Sequence, residues 1–444
     1  MSTTLYSNAF LVNEGTVERG WLLTDGARIA ALGYGDVPAG ISAGRVRDCS
    51  GLYLLPGVID VHVHFRDPGL TEKGDISTES RAAVAGGVTS YFDMPNTRPA
   101  TVTRRDVDNK LERAAEVSAA NYAFFIGATD SNLDELLSAD YSRIPGIKLF
   151  LGSSTGNMLV DNESVLDRLF AEAPAIIAVH AEDEAINRAA RERLSKEYPG
   201  GIPVELHPEL RPAEACIEAT RHAIALAERH GARLHVCHVS TAQELQLIAE
   251  AKLRGVKVTA ETAPQYLLWD AADFLNKGAR IKCNPSIKQA SDRLALLRAL
   301  LPGGVIDLIA TDHAPHLLSQ KQGDALTAVS GMPMVQFSLP VMLELFESDP
   351  ELEGQSIARV VELMCHAPAR VFGVKDRGYL RQGAYADLTL VRRLPVARKV
   401  SDADVISRCG WTPLEGMTLG WSVEDTIVAG GTGATPITFD NPAT

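Results

Sequence analysis

The segment VIDVHVHF (residues 58–65) is a short β-branched run in which two histidines occupy alternate positions. Residues i and i+2 of a strand point to the same face, so we expect His62 and His64 to converge and Val61, Val63 and Phe65 to face away. Two imidazoles on one face form half of a metal site. A lone His-x-His pair is weak evidence for a metal, so its meaning depends on the neighbouring strands.

Further short apolar runs follow this segment and alternate with longer helix-like stretches. They are VTSYFD (88–93), NYAFFI (121–126), GIKLFL (146–151), AIIAVH (175–180), ARLHVCH (232–238), VKVTAE (256–261) and VIDLIAT (305–311). This alternation is typical of βα units and a parallel sheet. Eight such units over about 310 residues predict an α/β fold, a TIM-like (β/α)8 barrel with insertions. A doubly wound sheet is the structural alternative.

Both ends of the chain are rich in predicted strands. An Asp25-Gly26 pair between apolar runs indicates a hairpin near the start, and ADLTLV (386–391) and DTIVAGG (425–431) are predicted strands near the end. Neither end by itself has enough residues to form a stable β-sandwich. We therefore predict one composite β-sandwich domain, residues 1–55 plus 371–444, beside a barrel at 56–370.

The composition excludes several classes of protein. With 43 basic and 56 acidic residues the net charge is −13, which argues against nucleic acid and anionic membranes as partners. No run approaches the roughly 18 apolar residues that a membrane span needs. The six cysteines form no CxxC pair and the N-terminus resembles no secretory leader, so a cytoplasmic protein is expected.

Residues with metal-binding or acid–base chemistry recur at the carboxyl ends of the predicted strands, where barrels carry their active sites. They are His62, His64, Lys148, His180, His238 and Asp312. Each alone has an ordinary structural explanation: a histidine can bond a carbonyl, and an aspartate can cap a helix. Their joint placement favours a metal centre, in which Asp312 could both bind metal and relay a proton.

Lys148 lies within the apolar run IKLFL (147–151) and has two interpretations. It can bury its stem and extend its ammonium into solvent, which the spacing alone favours. If it is buried instead, its pKa falls and the neutral amine can react with carbon dioxide. The resulting carbamate could bridge two cations.

A second polar group follows the first two strands. Arg66 comes directly after the His-x-His pair, and Asn96 follows the second strand. An arginine fork and an amide at adjacent strand ends could hold a substrate carboxylate, although a surface ion pair is the usual explanation of an isolated arginine. In TDHAPH (311–316), His313 or His316 could also contact substrate.

Together these motifs resemble the amidohydrolase superfamily, and within it the dihydroorotases of the larger type. The segments that carry the resemblance are DVHVHFRDPG (60–69), DMPNT (93–97), GIKLFLG (146–152), VHAED (179–183), HVCHVS (235–240), KCNPS (282–286) and IATDHAPH (309–316). The terminal β segments resemble that family's composite domain. One departure is Gln265-Tyr266, where many members have two histidines.

The resemblance implies two divalent metal ions, zinc being expected, and a role for each matching residue. His62, His64 and Asp312 would bind the more buried metal, His180 and His238 the other, and a carboxylated Lys148 would bridge them. Arg66, Asn96 and His316 would hold the substrate carboxylate, Asn284 would lie near the ring, and backbone groups of Gly331 and Met332 would meet the ring amide.

The implied reaction is the reversible cyclisation of N-carbamoyl-L-aspartate to L-dihydroorotate, a step of pyrimidine synthesis, by a hydroxide that the two metals activate. Asp312 would transfer the proton. The arginine pattern separates this activity from hydantoinases, dihydropyrimidinases and allantoinases, which are the alternatives. A catalytically silent scaffold is a further alternative. The family also implies a homo-oligomer, for example a dimer.

Overall fold

The computed structural model describes residues 3–152 and 158–440. The strands are β1 (Thr3–Asn13), β2 (Thr16–Asp25), β3 (Arg28–Tyr34), β4 (Arg45–Asp48), β5 (Tyr53–Pro56), β6 (Val58–Val63), β7 (Val88–Asp93), β8 (Asn121–Phe124), β9 (Ile126–Gly127), β10 (Ile147–Phe150), β11 (Ile177–His180), β12 (Leu234–Val236), β13 (Val258–Thr262), β14 (Leu308–Ile309), β15 (Leu388–Lys399) and β16 (Thr418–Ile427). The helices are α1 (Ile76–Ala85), α2 (Arg104–Val117), α3 (Leu133–Leu137), α4 (Glu163–Glu172), α5 (Glu184–Glu197), α6 (His207–Leu210), α7 (Ala213–His230), α8 (Ala242–Leu253), α9 (Pro264–Leu268), α10 (Phe274–Lys277), α11 (Ala290–Ala299), α12 (Ser338–Ser348), α13 (Ile357–Val361) and α14 (Ala367–Phe372).

The strands near the two ends of the chain form one sheet, here called the terminal sheet. Its order is β16-β15-β5-β1-β2-β3, and β4 pairs with β1. The join between the two ends is the antiparallel pairing of β15 with β5, in which Leu390 lies opposite Leu54. The pairing of the two ends therefore agrees with the sequence analysis, whereas the second layer of a sandwich and the domain boundaries stay predictions.

The eight predicted central strands are all present, in two parallel sheets of nine strands in total, because the predicted strand at 121–126 is divided into β8 and β9. Six strands run in the order β14-β13-β12-β11-β10-β9 and three in the order β6-β7-β8. Phe125 alone separates β8 from β9, and at the other edge a parallel bridge joins Val63 to His313, with the His64 N–H donating to the His313 carbonyl at 2.7 Å. These contacts bring the carboxyl ends of both sheets to one side of the molecule.

Local capping explains where several helices begin. Asp75 and Thr78 form a reciprocal capping box at the start of α1, and Thr241 accepts from the Glu244 N–H at the start of α8. Such caps satisfy amide groups that a first helical turn leaves without partners. The apolar faces then pack on the sheets, which fixes the strand ends. No described helix has the length and apolar character needed to cross a bilayer.

One sequence expectation is wrong in detail. Val63 and Phe65 pack in the larger apolar core, but Val61 packs with Phe92 and Phe125 in a second cluster. The reason is a register irregularity between Asp60 and Val63 where β6 pairs with β7, which interrupts strict alternation along the strand.

Candidate metal and substrate site

A cavity of about 600 Å³ opens at the carboxyl ends of the central strands. Its walls include all of the predicted metal ligands: His62, His64, Lys148, His180, His238 and Asp312. All are buried, so the cavity concentrates ionisable groups away from water. That concentration is the usual environment of a functional site.

His62, His64 and Asp312 form the first group of donors. The Oδ1 atom of Asp312 lies 3.4 Å from His62 Nε2 and 3.0 Å from His64 Nε2. Burial alone would raise the pKa of the Asp312 carboxyl, but the two imidazoles lower it below its ordinary value. Three donor atoms on one side of a buried cavity are suited to a divalent cation.

His180 and His238 form the second group. Their rings are nearly perpendicular, with His180 Nδ1 2.9 Å from His238 Nε2. His238 also lies beside the first group, with its ring centroid 5.3 Å from that of His62. His238 Nδ1 is buried and has no hydrogen-bond partner among the described residues, whereas His180 Nε2 lies 3.1 Å from Glu182 Oε2. Buried nitrogens without partners are costly unless a ligand or metal satisfies them.

Lys148 is fully buried on β10, so its ammonium does not extend into solvent as the spacing alone suggested. The Nζ atom donates to Cys237 Sγ at 3.0 Å. Its charge opposes protonation of both His62 and His180, after the larger effect of burial, although nearby carboxylates outweigh both effects on the pKa of His62. The amine therefore lies within electrostatic reach of both donor groups. This is where a bridging ligand would have to be.

Glu261 at the end of β13 was not predicted as a site residue. It accepts from His62 Nδ1, from His235 Nε2 at 3.0 Å and from the His238 N–H at 3.2 Å. Glu261 and Asp312 outweigh burial and Lys148, and raise the pKa of His62 to about 10. Because Nδ1 donates to Glu261, Nε2 is oriented towards the cavity. The available signal was a carboxylate at the end of the seventh predicted strand.

Arg66, Asn96 and His316 also come together at the cavity. Arg66 is 3% exposed, donates from Nε to the Pro315 carbonyl at 3.2 Å, and has Nη2 3.1 Å from His316 Nε2. Because a guanidinium only donates, His316 Nε2 accepts and its proton is on Nδ1. Burial, and then Arg66, lowers the pKa of His316 well below its ordinary value, so this imidazole is neutral.

In the described part of the chain no carboxylate lies within ion-pair distance of Arg66. Burial lowers the Arg66 pKa to about 10. The His316 Nδ1 atom is buried with no hydrogen-bond partner among the described residues. An unpaired buried cation beside a free donor forms a site that an anion would complete.

Of the remaining predicted substrate residues, some line the cavity and others do not. Asn284 and Gly331 line the cavity, whereas Met332 is fully buried, does not line it, and accepts from the Ala314 N–H at 2.9 Å. Gly331 has a φ of +124° and an added Cβ would lie 2.8 Å from the Ala314 carbonyl oxygen, so only glycine fits there. His313 is directed away from the cavity, towards Glu79.

The departure at Gln265-Tyr266 lies behind the cavity wall. Gln265 donates to the Thr311 carbonyl at 3.2 Å, and the Tyr266 hydroxyl donates to the Pro285 carbonyl at 2.8 Å. Neither residue lines the cavity. They support the segments that carry Asp312 and Asn284 and do not form part of the wall.

Comparison with known proteins identifies the family. Residues 53–432 match the Amidohydrolase family. The chain belongs to that family. It is 33% identical to an allantoinase of Bacillus velezensis over 96% of this chain and 92% of that one, and 31% identical to a dihydroorotase of Lactobacillus johnsonii over 93% and 94%. An L-hydantoinase structure from Arthrobacter aurescens has a TM-score of 0.92 and 28% identity, and covers 99% of this chain and 100% of that one.

Membership supports a hydrolase of cyclic amides with an α/β fold that has parallel sheets. The donor set agrees with a metal centre of this family, because imidazoles, a carboxylate and a buried lysine surround one cavity. Zinc accepts this combination of nitrogen and oxygen ligands. The names of these relatives imply different cyclic substrates.

Proposed function

We propose that the protein is a dihydroorotase, which interconverts N-carbamoyl-L-aspartate and L-dihydroorotate. The observation that carries this proposal is the buried Arg66, which has no carboxylate partner among the described residues and lies against the neutral His316. A substrate with a carboxylate on its ring supplies the missing negative charge. A ring without a carboxylate would leave the guanidinium uncompensated.

Three side chains would bind that carboxylate. Arg66 offers its fork, and His316 offers the Nδ1 proton. Asn96 uses its Oδ1 atom for His64 Nδ1 at 2.8 Å, which leaves its NH2 group as a donor. This local set of donors explains how a chain with a net charge of −13 would accept an anion.

Two divalent cations would be held by His62, His64 and Asp312 on one side and His180 and His238 on the other, with a carboxylated Lys148 between them. When bound, they would polarise the ring amide and acidify water. Asp312, with a lowered pKa, is ionised at neutral pH and would accept the proton. Glu261 would hold His62 in the required tautomer. We also propose that the two parallel sheets form a closed (β/α)8 barrel.

A second candidate is an allantoinase, because the Bacillus velezensis relative with that name aligns over 96% of this chain. Allantoin has no carboxylate. It would therefore not use the charge of Arg66. Selectivity for a carboxylate separates the two candidates.

The test is Arg66→Met, with turnover of dihydroorotate, dihydrouracil, hydantoin and allantoin measured side by side. We expect kcat/KM for dihydroorotate to fall roughly 10- to 100-fold, the cost of losing charge-assisted hydrogen bonds, while metal content and any activity on dihydrouracil are kept. Arg191→Met is the matched control, since Arg191 lines the same cavity but is exposed. An equal loss on all rings, or wild-type preference for allantoin, would contradict the proposal.

A further inference from the structure

The terminal sheet contacts the candidate site through one insert. Residues 400–417, here called the insert, connect β15 to β16. The Val400 N–H donates to the Met417 carbonyl and the Gly416 N–H donates to the Val400 carbonyl, which closes the base of the insert. The insert leaves the sheet and packs against the loop 312–316, which carries Asp312 and His316. A part of the chain more than 80 residues beyond this loop therefore contacts it directly.

Trp411 makes the contact with the substrate side of this loop. Its indole is fully buried, and Nε1 donates to the His316 carbonyl at 2.7 Å. The His316 side chain in turn accepts from Arg66 Nη2, while Arg66 Nε donates to the neighbouring Pro315 carbonyl. Trp411 thus holds the backbone that orients two of the three predicted carboxylate-binding residues, His316 and Arg66.

A separate contact holds the metal side of the loop. Glu79 on α1 is fully buried, and its Oε2 atom accepts from His313 Nε2 at 2.9 Å and from the Ser407 hydroxyl at 2.5 Å. His313 Nδ1 accepts from the N–H groups of Met334 and Val335. Asp312, which precedes His313, is therefore held independently of Trp411.

We propose that Trp411 is a positioning residue that sets selectivity for a ring carboxylate by holding His316 and Arg66 in place. This inference rests on the proposed function. Loss of the indole N–H would leave a buried carbonyl without its donor, and the backbone at His316 would shift to satisfy it. The metal side would remain in place through Glu79 and His313. The defect should therefore fall on carboxylate binding and spare the chemistry of the ring amide.

Trp411→Phe tests this, because it keeps an aromatic ring and removes only the donor. We expect kcat/KM for dihydroorotate to fall roughly 3- to 10-fold, in line with one buried hydrogen bond, while metal content stays constant and any turnover of dihydrouracil stays within about twofold. Trp421→Phe is the matched control, since it removes a 2.7 Å indole hydrogen bond from Trp421 on β16 to Glu347 on α12. Both variants should lower the Tm, but only Trp411→Phe should change the ratio of activity on dihydroorotate to activity on dihydrouracil.

A second readout does not depend on the reaction. Nitrogen NMR of labelled histidine, with His316 assigned through His316→Gln, should show the Nδ1–H tautomer in the wild type and in Trp421→Phe and a mixture in Trp411→Phe. An unchanged tautomer together with an unchanged substrate ratio would overturn the role of Trp411. If the wild type does not turn over dihydroorotate but Trp411→Phe still changes the His316 tautomer, the proposed function would be overturned and the positioning role of Trp411 would stand.

Discussion

His64 and Asn96 are joined side chain to side chain, with 2.8 Å between His64 Nδ1 and Asn96 Oδ1. The contact links a predicted metal ligand to a predicted substrate ligand and assigns protons to both. Because His64 donates from Nδ1, its Nε2 lone pair would be available to a cation held together with Asp312, whose Oδ1 atom lies 3.0 Å away. The Asn96 oxygen is used, so only its NH2 group is left for substrate.

Asn96→Asp should separate these two roles. The carboxylate still accepts from His64, so we expect metal content to be unchanged, but it would repel the substrate carboxylate. We expect kcat/KM for dihydroorotate to fall roughly 100-fold or more and that for dihydrouracil to change little. Asn96→Ala is the comparison, since it removes the acceptor without adding charge and should lose metal more readily. Equal activity of Asn96→Asp on both rings would contradict this assignment.

Lys148→Ala should remove the bridge between the donor groups. We expect the metal content of the purified protein, measured by inductively coupled plasma mass spectrometry, to fall from two ions to one or none per chain. Cys237→Ala is the control, because it removes the thiol that contacts Nζ at 3.0 Å and keeps the amine. When metal is added back to metal-free wild-type protein, activity should also return faster with bicarbonate than in carbon dioxide-free buffer. Full metal occupancy and activity in Lys148→Ala would rule out the carbamate.

Glu261→Gln should weaken metal binding without emptying the cavity of ligands. The substitution keeps the shape of the side chain but removes the charge that holds His62 Nδ1 and His235 Nε2. We expect metal affinity, measured by competition with a chelator, to fall roughly 10- to 100-fold. Glu244→Gln is the control, since Glu244 is equally buried but contacts Ser240 and Thr241 at the start of α8. Similar losses in both variants would point to general destabilisation.

Lys282 should give the stability a distinct pH dependence. Burial lowers the pKa of this cavity residue from 10.5 to about 8. The folded pKa lies below the unfolded one, so between these values the unfolded chain binds more protons and folding stability rises with pH. Relative to Lys282→Met, the wild-type free energy of unfolding should rise by up to about 3 kcal/mol across this window, measured by urea titration. Lys375→Met, at an exposed position, should follow the wild type, and a flat difference for Lys282→Met would contradict the shift.

Local pattern was sufficient for much of the framework. Short apolar runs that alternate with helix-like stretches predicted every central strand, and the carboxyl ends of those strands indicated where the chemistry-bearing residues would meet. The same reasoning failed at Val61, because a register irregularity is a property of strand pairing and has no signature within one strand. It also favoured a solvent-exposed Lys148, because spacing alone does not report which side of a strand faces the interior of the sheets.

The sequence by itself determined the alternation of strands and helices and the polar residue at each strand end, since both follow from periodicity along the chain. Only the tertiary structure decided which distant residues support them. Glu261 contacts His62 across 199 positions, and Trp411 contacts His316 across 95. Neither pair shares a local pattern, because such contacts arise when separate elements pack. The predicted metal donors were therefore visible in the sequence, whereas the side chains that hold them became visible only in the folded chain.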